Sequence, residues 1–308
     1  LYEAFRRVNV NDLGALSDEE LTVRLRGHRQ VLCIVNTRVH AQRLHDALSE
    51  HGGCYHLSAR MCPVHRRKQL KEIKELLKKG AECRLISTQL IEAGVDIDFP
   101  VVYRAMAGID SIGQAAGRCN REGRAERGEV YVFRSTESYG QATSWQHLTA
   151  EVGRMVMDTY DDPLSLPAVE DYFQILYSYK GDDGLDEKGI LPSFEKRRGK
   201  LAFPFEDVGW EFSIIEQVTK DLIIPYDEDA RALLGELRTS KCPWKYARRL
   251  QGYTINIYDN EFRELERAHE IDLFGDRFYV LNNIDKYSEK IGLVGRKDNI
   301  SPGALLIV

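Results

Sequence analysis

The chain has 308 residues and a mass of 35.3 kDa, of which 43% are hydrophobic and 30% charged. These values are typical of an ordinary globular protein, exclude a disordered or fibrous one, and allow two domains or one large domain with an appendage. No apolar run is long enough to span a bilayer, and a net charge of −5 argues against a protein that binds polyanions over its whole surface.

The termini and the cysteines bear on the origin of the chain. It begins "LYEAFRRVNV", with neither an initiator Met nor a signal peptide, which predicts a piece of a longer protein. None of the six cysteines forms a C-x-x-C pair, which indicates a reduced, cytoplasmic protein. Cys54, His56, Cys62 and His65 lie close together in sequence but match no zinc pattern, so no metal site is predicted.

The first 140 residues alternate short apolar runs with helical patterns. A helix is predicted to begin at Thr37 and to end at "HGG" (51–53), and another to run from Pro63 to Gly80. Five strands are predicted: "VLCIVN" (31–36), "CYHLS" (54–58), "CRLIS" (83–87), "VVYR" (101–104) and "VYVF" (130–133). This alternation predicts an α/β domain, residues 1–140, with a parallel sheet sandwiched by helices.

The pattern changes after Gly140. Two long helices are predicted within residues 141–195, which we interpret as a helical linker. Residues 196–308 are predicted to form a smaller α+β domain. Its predicted strands are "WEFSIIEQV" (210–218), "YTINIY" (253–258) and "RFYVLN" (277–282).

Basic residues are concentrated in the helix predicted at 63–80. Seven Lys or Arg residues lie between Arg66 and Lys79, and four of them repeat at helical spacing: Arg67, Lys71, Lys74 and Lys78. Since Glu72 and Glu75 can pair with neighbouring lysines, a solvated helix face is the default interpretation of this stripe.

Polar residues follow several of the predicted strands directly. Open α/β sheets bind ligands at the carboxyl ends of their strands, so one sheet edge is expected to collect these side chains. Hydroxyls and arginines together suit phosphate oxygens, while an acid suits a sugar hydroxyl or a neighbouring Arg. The candidates are Thr37, Arg38, Ser58, Thr88, Asp96, Arg118 and Arg121.

The stretch "GQAAGRCNREGR" (113–124) carries the densest positive charge near that edge. Gln114 and Arg118 are predicted to lie on one helix face, with Arg121 at the next turn. Small neighbours leave this surface thin, a geometry suited to arginine fingers that stabilise charge on a transferred phosphoryl group. Surface arginines on a loop-rich helix are the alternative interpretation.

The ordered set resembles the second motor domain of superfamily 2 helicases, with "IVNTR" similar to motif IV, "STQLIEAGVDID" to motif V and "GQAAGRCNREGR" to motif VI. More closely, residues 85–135 resemble the C-terminal portion of the CRISPR-associated helicase–nuclease of type I systems. The resemblance implies that Arg118 and Arg121 reach the γ-phosphate of ATP and that Gln114 helps to orient that site. It also implies that Gly94 and Asp96 contact the nucleotide ribose or couple the ATP cleft to DNA. It also implies that Thr37, Arg38, Ser58 and Thr88 hold the backbone of single-stranded DNA.

Parts that a complete motor needs are missing from the sequence. There is no G-x-x-x-x-G-K-[ST] loop, and "LIIPYDEDA" (222–230) reads as a surface turn rather than a Mg²⁺ motif because Pro225 interrupts it. His45-Asp46 reads as a solvated helix face rather than part of a nuclease centre. The chain alone is therefore predicted to be inactive.

These observations predict the C-terminal half of an ATP-dependent DNA helicase of CRISPR interference, using ATP and Mg²⁺ in the intact enzyme. Its expected partners are single-stranded DNA, an N-terminal half with the nuclease domain, and an RNA-guided surveillance complex, with no membrane. Two alternatives remain: the motor half of an RNA helicase or restriction translocase, and a non-catalytic RecA-like docking module.

Overall fold

The computed structural model describes residues 7–50, 52–139, 144–186, 188–195, 203–212, 219–240, 242–275 and 277–294. Its first part is an α/β unit with a six-stranded sheet. The strands are β1 (Val8–Leu16), β2 (Gln30–Ile34), β3 (Cys54–Leu57), β4 (Cys83–Ser87), β5 (Val101–Ala105) and β6 (Gly128–Ser135). The helices between them are α1 (Asp18–Arg26), α2 (Arg38–Ser49), α3 (Pro63–Lys78) and α4 (Ile109–Ala116).

All six strands are parallel, in the order β1-β6-β5-β2-β4-β3. Apolar side chains cover both faces: Leu32, Leu85 and Val102 pack on one side, and Val31 and Ile86 pack on the other. A sheet buried on both faces explains the continuous apolar runs, and the fold class predicted from them is confirmed.

The sequence-based prediction of five strands is short by one. β1 lies at the edge of the sheet beside β6, and its polar Asn9 and Asn11 both donate to the Glu129 carboxylate at 2.9 Å. Asn9, Asn11 and Asp12 interrupt its sequence "VNVNDLGAL", which therefore lacks a continuous apolar run.

Two long helices follow the sheet, α5 (Ser144–Thr159) and α6 (Leu166–Leu185), the second kinked at Gly181. They pack on the first unit: Tyr172 donates from its hydroxyl to Asp110 at 3.0 Å and is fully buried. A Cβ at Gly153 would lie 2.4 Å from the Ala107 carbonyl oxygen, so glycine permits the close approach of α5. The domain boundaries proposed from sequence stay predictions.

The remaining helices are α7 (Ile190–Glu195), α8 (Phe205–Glu211), α9 (Glu228–Thr239), α10 (Trp244–Leu250) and α11 (Asp259–Arg267). Four strands form a mixed sheet in the order β8-β7-β10-β9: β7 (Thr219–Ile223), β8 (Thr254–Tyr258), β9 (Ile271–Phe274) and β10 (Phe278–Leu281). β11 (Tyr287–Ser288) and β12 (Gly292–Leu293) pair separately. The strands predicted at 253–258 and 277–282 are confirmed, and this smaller α+β region shares its core with Cys62 of the first unit.

Three local predictions need correction. The strand predicted at 210–218 is wrong at its start, because Trp210 and Glu211 are the last residues of helix α8, which begins after Pro204. Residues 213–218 lie outside the described residues. His45 is buried against His56 rather than solvated, and only Asp46 faces water. The Asp227 carboxylate caps α9 by accepting from Ala230 N at 2.8 Å, so this segment begins a helix.

Candidate functional site

The carboxyl ends of the parallel strands lie at one edge of the sheet, and the loops there are tied to one another. The Ser87 hydroxyl at the end of β4 donates to the Leu57 carbonyl at the end of β3, at 3.0 Å. The Thr88 amide donates to the same carbonyl at 3.4 Å. This edge therefore holds together the residues that the sequence proposed as ligands.

Thr37 and Arg38 begin helix α2 at this edge. The Thr37 hydroxyl accepts from His40 N at 3.1 Å, so it caps the helix and its position is fixed. The Arg38 guanidinium lies 4.9 Å from the centre of the Tyr258 ring, a cation–π contact with the C-terminal region. Desolvation lowers the pKa of Arg38, although it remains charged at neutral pH.

Ser58 and Thr88 follow the next two strands. Ser58 is fully buried, and its hydroxyl accepts from Arg60 N at 3.3 Å, so it shapes the loop rather than facing solvent. The Arg60 guanidinium then pairs with Glu261 of α11 at 2.6 Å. Thr88 is 8% exposed and begins a 3₁₀ turn at Gln89–Ile91 without a side-chain cap bond.

A buried ion pair that the sequence reasoning missed lies beneath the edge. Arg104 of β5 is fully buried, and its Nε lies 2.8 Å from Glu92 Oε1. Its Nη1 donates to Asn36 Oδ1 at 2.6 Å, and its Nη2 donates to Ser111 Oγ at 2.9 Å. Ser111 in turn donates to Glu92 Oε2 at 2.7 Å. One guanidinium thus connects the ends of β2, β4 and β5 with α4.

A signal for this pair exists in the sequence. Arg104 interrupts the apolar run "VVYRA", and a buried guanidinium needs a carboxylate because burying an unpaired charge is costly. What the sequence lacks is the identity of the partner. Glu92 lies in a loop twelve residues earlier, and only the sheet order brings it to Arg104.

The arginines of "GQAAGRCNREGR" do not share a helix face with Gln114, so that prediction is wrong. Helix α4 ends at Ala116, and Gly117 is its C-cap. The following backbone pairs with Phe99 instead, since Phe99 N donates to the Arg118 carbonyl and Asn120 N donates to the Phe99 carbonyl, both at 2.9 Å. The backbone of residues 118–120 therefore pairs with Phe99 instead of continuing helix α4 by one more turn.

Arg118 is buried against the loop that follows β4. Its Nε donates to the Ile91 carbonyl at 3.0 Å and its Nη2 to the Glu92 carbonyl at 2.6 Å. Desolvation and the neighbouring Arg121 lower the pKa of Arg118. Arg118 is 8% exposed and holds the loop through these two hydrogen bonds.

Arg121 and Asp96 form the exposed part of the same arrangement. Arg121 Nε lies 3.1 Å from Asp96 Oδ1, and Lys74 Nζ lies 3.7 Å from Asp96 Oδ2. The side chain of Arg121 is 46% exposed and that of Asp96 is 77% exposed. Gly94, with φ of +69°, turns the loop between Glu92 and Asp96 and leaves open space above it.

Gln114 faces a different part of the edge from Arg121. It lines a cleft of about 470 Å³ together with Asn36, Thr37, Glu92 and Arg104. The fold therefore groups Gly94, Asp96, Arg118 and Arg121 around the loop after β4, and places Gln114 and Thr37 together in this cleft. Among the described residues, no three His, Cys, Asp or Glu side chains are placed to hold a metal ion, and no helix could cross a membrane.

Residues 27–124 match a family model described as "CRISPR-associated nuclease/helicase Cas3, C-terminal". This match to the C-terminal part of Cas3 covers about a third of the chain. A curated Cas3 of Haloferax volcanii is 49% identical over 81 residues, which cover 25% of this chain and 8% of that protein. A curated Cas3 of Methanothermobacter thermautotrophicus is 26% identical over 170 residues, which cover 53% of this chain and 20% of that protein.

Solved structures agree on the fold. The crystal structure of T. fusca Cas3 aligns with 90% of this chain and 39% of its own, with a TM-score of 0.60 and 14% identity. A chain of a structure titled "CRISPR RNA-guided surveillance complex, pre-nicking" aligns with a TM-score of 0.52, 17% identity, and 90% and 41% coverage. The chain thus spans less than half of each of these Cas3 relatives, and the similarity to a Cas3 C-terminal portion that the motifs predicted is confirmed.

Proposed function

We propose that this chain is the C-terminal half of an ATP-dependent motor that moves along single-stranded DNA in CRISPR interference, in the cytoplasm. It supplies arginines to the nucleotide and backbone contacts to the DNA. An N-terminal half supplies the phosphate loop, the Mg²⁺-binding acids and the nuclease domain, and ATP with Mg²⁺ bound between the halves drives translocation. An RNA-guided surveillance complex delivers the DNA.

One observation carries this proposal: a single loop connects the two kinds of site. The loop begins with Thr88 at the strand edge proposed for DNA and continues to Gly94 and Asp96, which are proposed for the nucleotide. Arg118 holds its middle through two carbonyls, and Arg121 pairs with Asp96 near its end. Movement of Arg118 or Arg121 on hydrolysis would therefore be transmitted along this loop to Thr88, the residue proposed to contact DNA.

The geometry suggests different tasks for the two arginines. Exposed ion pairs contribute little stability and exchange readily, so Arg121 can leave Asp96 for a γ-phosphate. Asp96 is then free to accept from a ribose hydroxyl. Arg118 is engaged with carbonyls, so we assign it chiefly to holding the loop against the nucleotide site. The bare turn at Gly94 leaves room for a phosphate to approach.

DNA-stimulated ATP hydrolysis tests this proposal. The chain is assayed alone and after addition of the N-terminal half of a Cas3, each with Arg118→Ala and Arg121→Ala as separate variants. We expect no hydrolysis by the chain alone, activity on mixing, and loss of that activity in Arg121→Ala. Hydrolysis by the chain alone that depends on these arginines would overturn the half-motor assignment.

The engagement of Arg118 by backbone carbonyls also favours a second candidate, a RecA-like module that docks on a protein and no longer acts on nucleotide. In that case both arginines serve the fold or the surface alone. With Arg121→Ala, a docking module would leave both assembly and the ATP hydrolysis of the mixture unchanged. The motor would still assemble but would fail to hydrolyse ATP. Co-sedimentation of the two halves beside the ATPase assay separates these results.

A further inference from the structure

A second concave site lies away from the loop after β4, between the first unit and the C-terminal region. It is a cleft of about 700 Å³ with walls from α3, α9 and the end of α10, and from the turn at Gln251–Tyr253. This volume falls in the range of small-molecule sites. The helicase-like motifs lie elsewhere, but Arg67 of the basic stripe and Asp229 of "LIIPYDEDA" line this cleft.

Three arginines converge on the cleft from distant parts of the sequence. Arg67 comes from α3, and Arg248 and Arg249 come from the last turn of α10. All three are exposed, and none has an ion pair or a side-chain hydrogen bond to another residue that the structure describes. The chain has a net charge of −5, so this concentration of unpaired cations is local.

Helix electrostatics explains only part of this arrangement. Arg248 and Arg249 lie at the negative end of α10, where cations are favoured. Arg67 lies in the second turn of α3, and the Cys62 N-cap of that helix makes no side-chain bond. The uncapped start of α3, whose Pro63 and Val64 line the cleft, and a third arginine at Arg67 together favour an anion there.

Gly252 allows the two walls to meet. A Cβ at this position would lie 3.1 Å from Val64 Cγ2 and 3.7 Å from Arg67 Nη2. The turn of the C-terminal region therefore approaches α3 closely, and Arg67 lines the same cleft as Arg248 and Arg249.

The part of the lining that comes from α9 has a different chemistry. Asp229 and Glu236 of α9 line the cleft and can accept hydrogen bonds. A bare polyanion would be repelled by these acids, whereas a nucleotide carries phosphates together with donor groups on its base and sugar. We propose that this cleft is a nucleotide-binding site, with phosphates on the arginine wall and base or sugar donors toward Asp229 and Glu236.

Two sources share this chemistry: a free nucleotide and a nucleotide unit of a single strand. Fluorescence anisotropy of the 308-residue chain with a labelled 12-mer of deoxythymidine, with ATP and inorganic tripolyphosphate as competitors, distinguishes them. Displacement of the oligonucleotide by micromolar ATP identifies a free nucleotide. Binding that only unlabelled oligonucleotide displaces identifies the single strand.

The decisive variant is Arg248→Ala with Arg249→Ala. We expect about tenfold weaker oligonucleotide binding and a salt slope smaller by roughly 0.7 for each lost phosphate contact. The matched control is Arg24→Ala with Arg29→Ala, two exposed arginines outside the cleft, which should leave the affinity within twofold. Equal losses in both variants, or no loss in the first, would overturn the proposal, as would no binding by the wild type at low salt.

A second variant addresses the acidic wall. With Asp229→Ala and Glu236→Ala, the preference for ATP or oligonucleotide over tripolyphosphate should disappear, because alanine side chains cannot accept hydrogen bonds from base and sugar donors. An unchanged preference would contradict the proposed orientation. Circular dichroism of each variant confirms the fold, and Arg121→Ala measured in parallel separates this cleft from the site proposed for the motor.

Discussion

The loop after β4 carries the carboxylates of two arginine pairs, Glu92 and Asp96, which differ in burial and in hydrogen bonding. Arg104 and Glu92 are buried beneath the sheet edge and share hydrogen bonds with Asn36 and Ser111. Arg121 and Asp96 meet at the surface, where Asp96 also pairs with the exposed Lys74. A buried pair fixes geometry because neither charge can be left alone, whereas an exposed pair can be exchanged for a ligand.

The largest effect that tests this contrast is expected at Arg104. Arg104→Met leaves the Glu92 carboxylate buried with the Ser111 hydrogen bond but no opposite charge, and we expect a loss of about 3–5 kcal/mol of unfolding free energy. Urea denaturation followed by circular dichroism measures it. The double variant Arg104→Met/Glu92→Leu should recover much of the loss. A single variant as stable as the wild type would show that the buried pair has no special weight.

Arg118→Ala comes next. It removes two charge-assisted hydrogen bonds to the carbonyls of Ile91 and Glu92, leaving both acceptors short of a partner, and should cost about 2–3 kcal/mol. Protection of the loop in hydrogen exchange should fall together with stability. If stability and protection both stay at the wild-type level, the loop is held by other contacts.

Acid should lower the unfolding free energy through His56, which is buried like Arg104 and Glu92. Burial lowers the pKa of this imidazole from 6.5 to about 3, with smaller effects from His45 and Arg60. Between pH 6.5 and pH 3 the unfolded chain therefore binds a proton at this imidazole that the folded chain does not. The contribution of the neutral imidazole to the unfolding free energy is complete above pH 6.5 and is lost toward pH 3, by up to about 1.4 kcal/mol per pH unit. In His56→Leu this decline should be shallower by up to one proton. An identical pH slope in wild type and variant would count against it.

The smallest effect is expected at the exposed pair. Arg121→Ala should change the unfolding free energy by less than about 0.5 kcal/mol, because solvent and salt screen its contact with Asp96. The same variant should lose ATP hydrolysis in the assembled motor. A stability loss as large as that of Arg118→Ala would remove the distinction between the two arginines.

Much of the first unit could be predicted from sequence because its strands are buried on both faces. Continuous apolar runs such as "VLCIVN" marked β2 to β6 clearly. The edge strand β1 was not predicted because Asn9, Asn11 and Asp12 interrupt its apolar residues. The helix predicted through Arg118 ended early at Gly117, since backbone pairing with Phe99 is a long-range contact that no local pattern reports.

The candidate site was predictable as a set of residues but not as an arrangement. The order of motifs indicated that Asp96, Arg118 and Arg121 belong together, and the loop after β4 does bring them together. Ser58 is buried, and Arg38 lies against Tyr258 of the C-terminal region, because residues far along the chain cover part of the edge. Burial by a distant segment is invisible to local sequence.

The sequence by itself determined the parallel α/β architecture, the similarity to a Cas3 C-terminal portion and the residue types at the sheet edge, since periodicity and short motifs are local properties. Only the tertiary structure decided that Arg104 pairs with Glu92, that Arg118 is engaged while Arg121 is exposed, and that Arg67 lines one cleft with Arg248 and Arg249. These pairings depend on strand order and domain packing, which set the distances between side chains that the chain itself keeps apart.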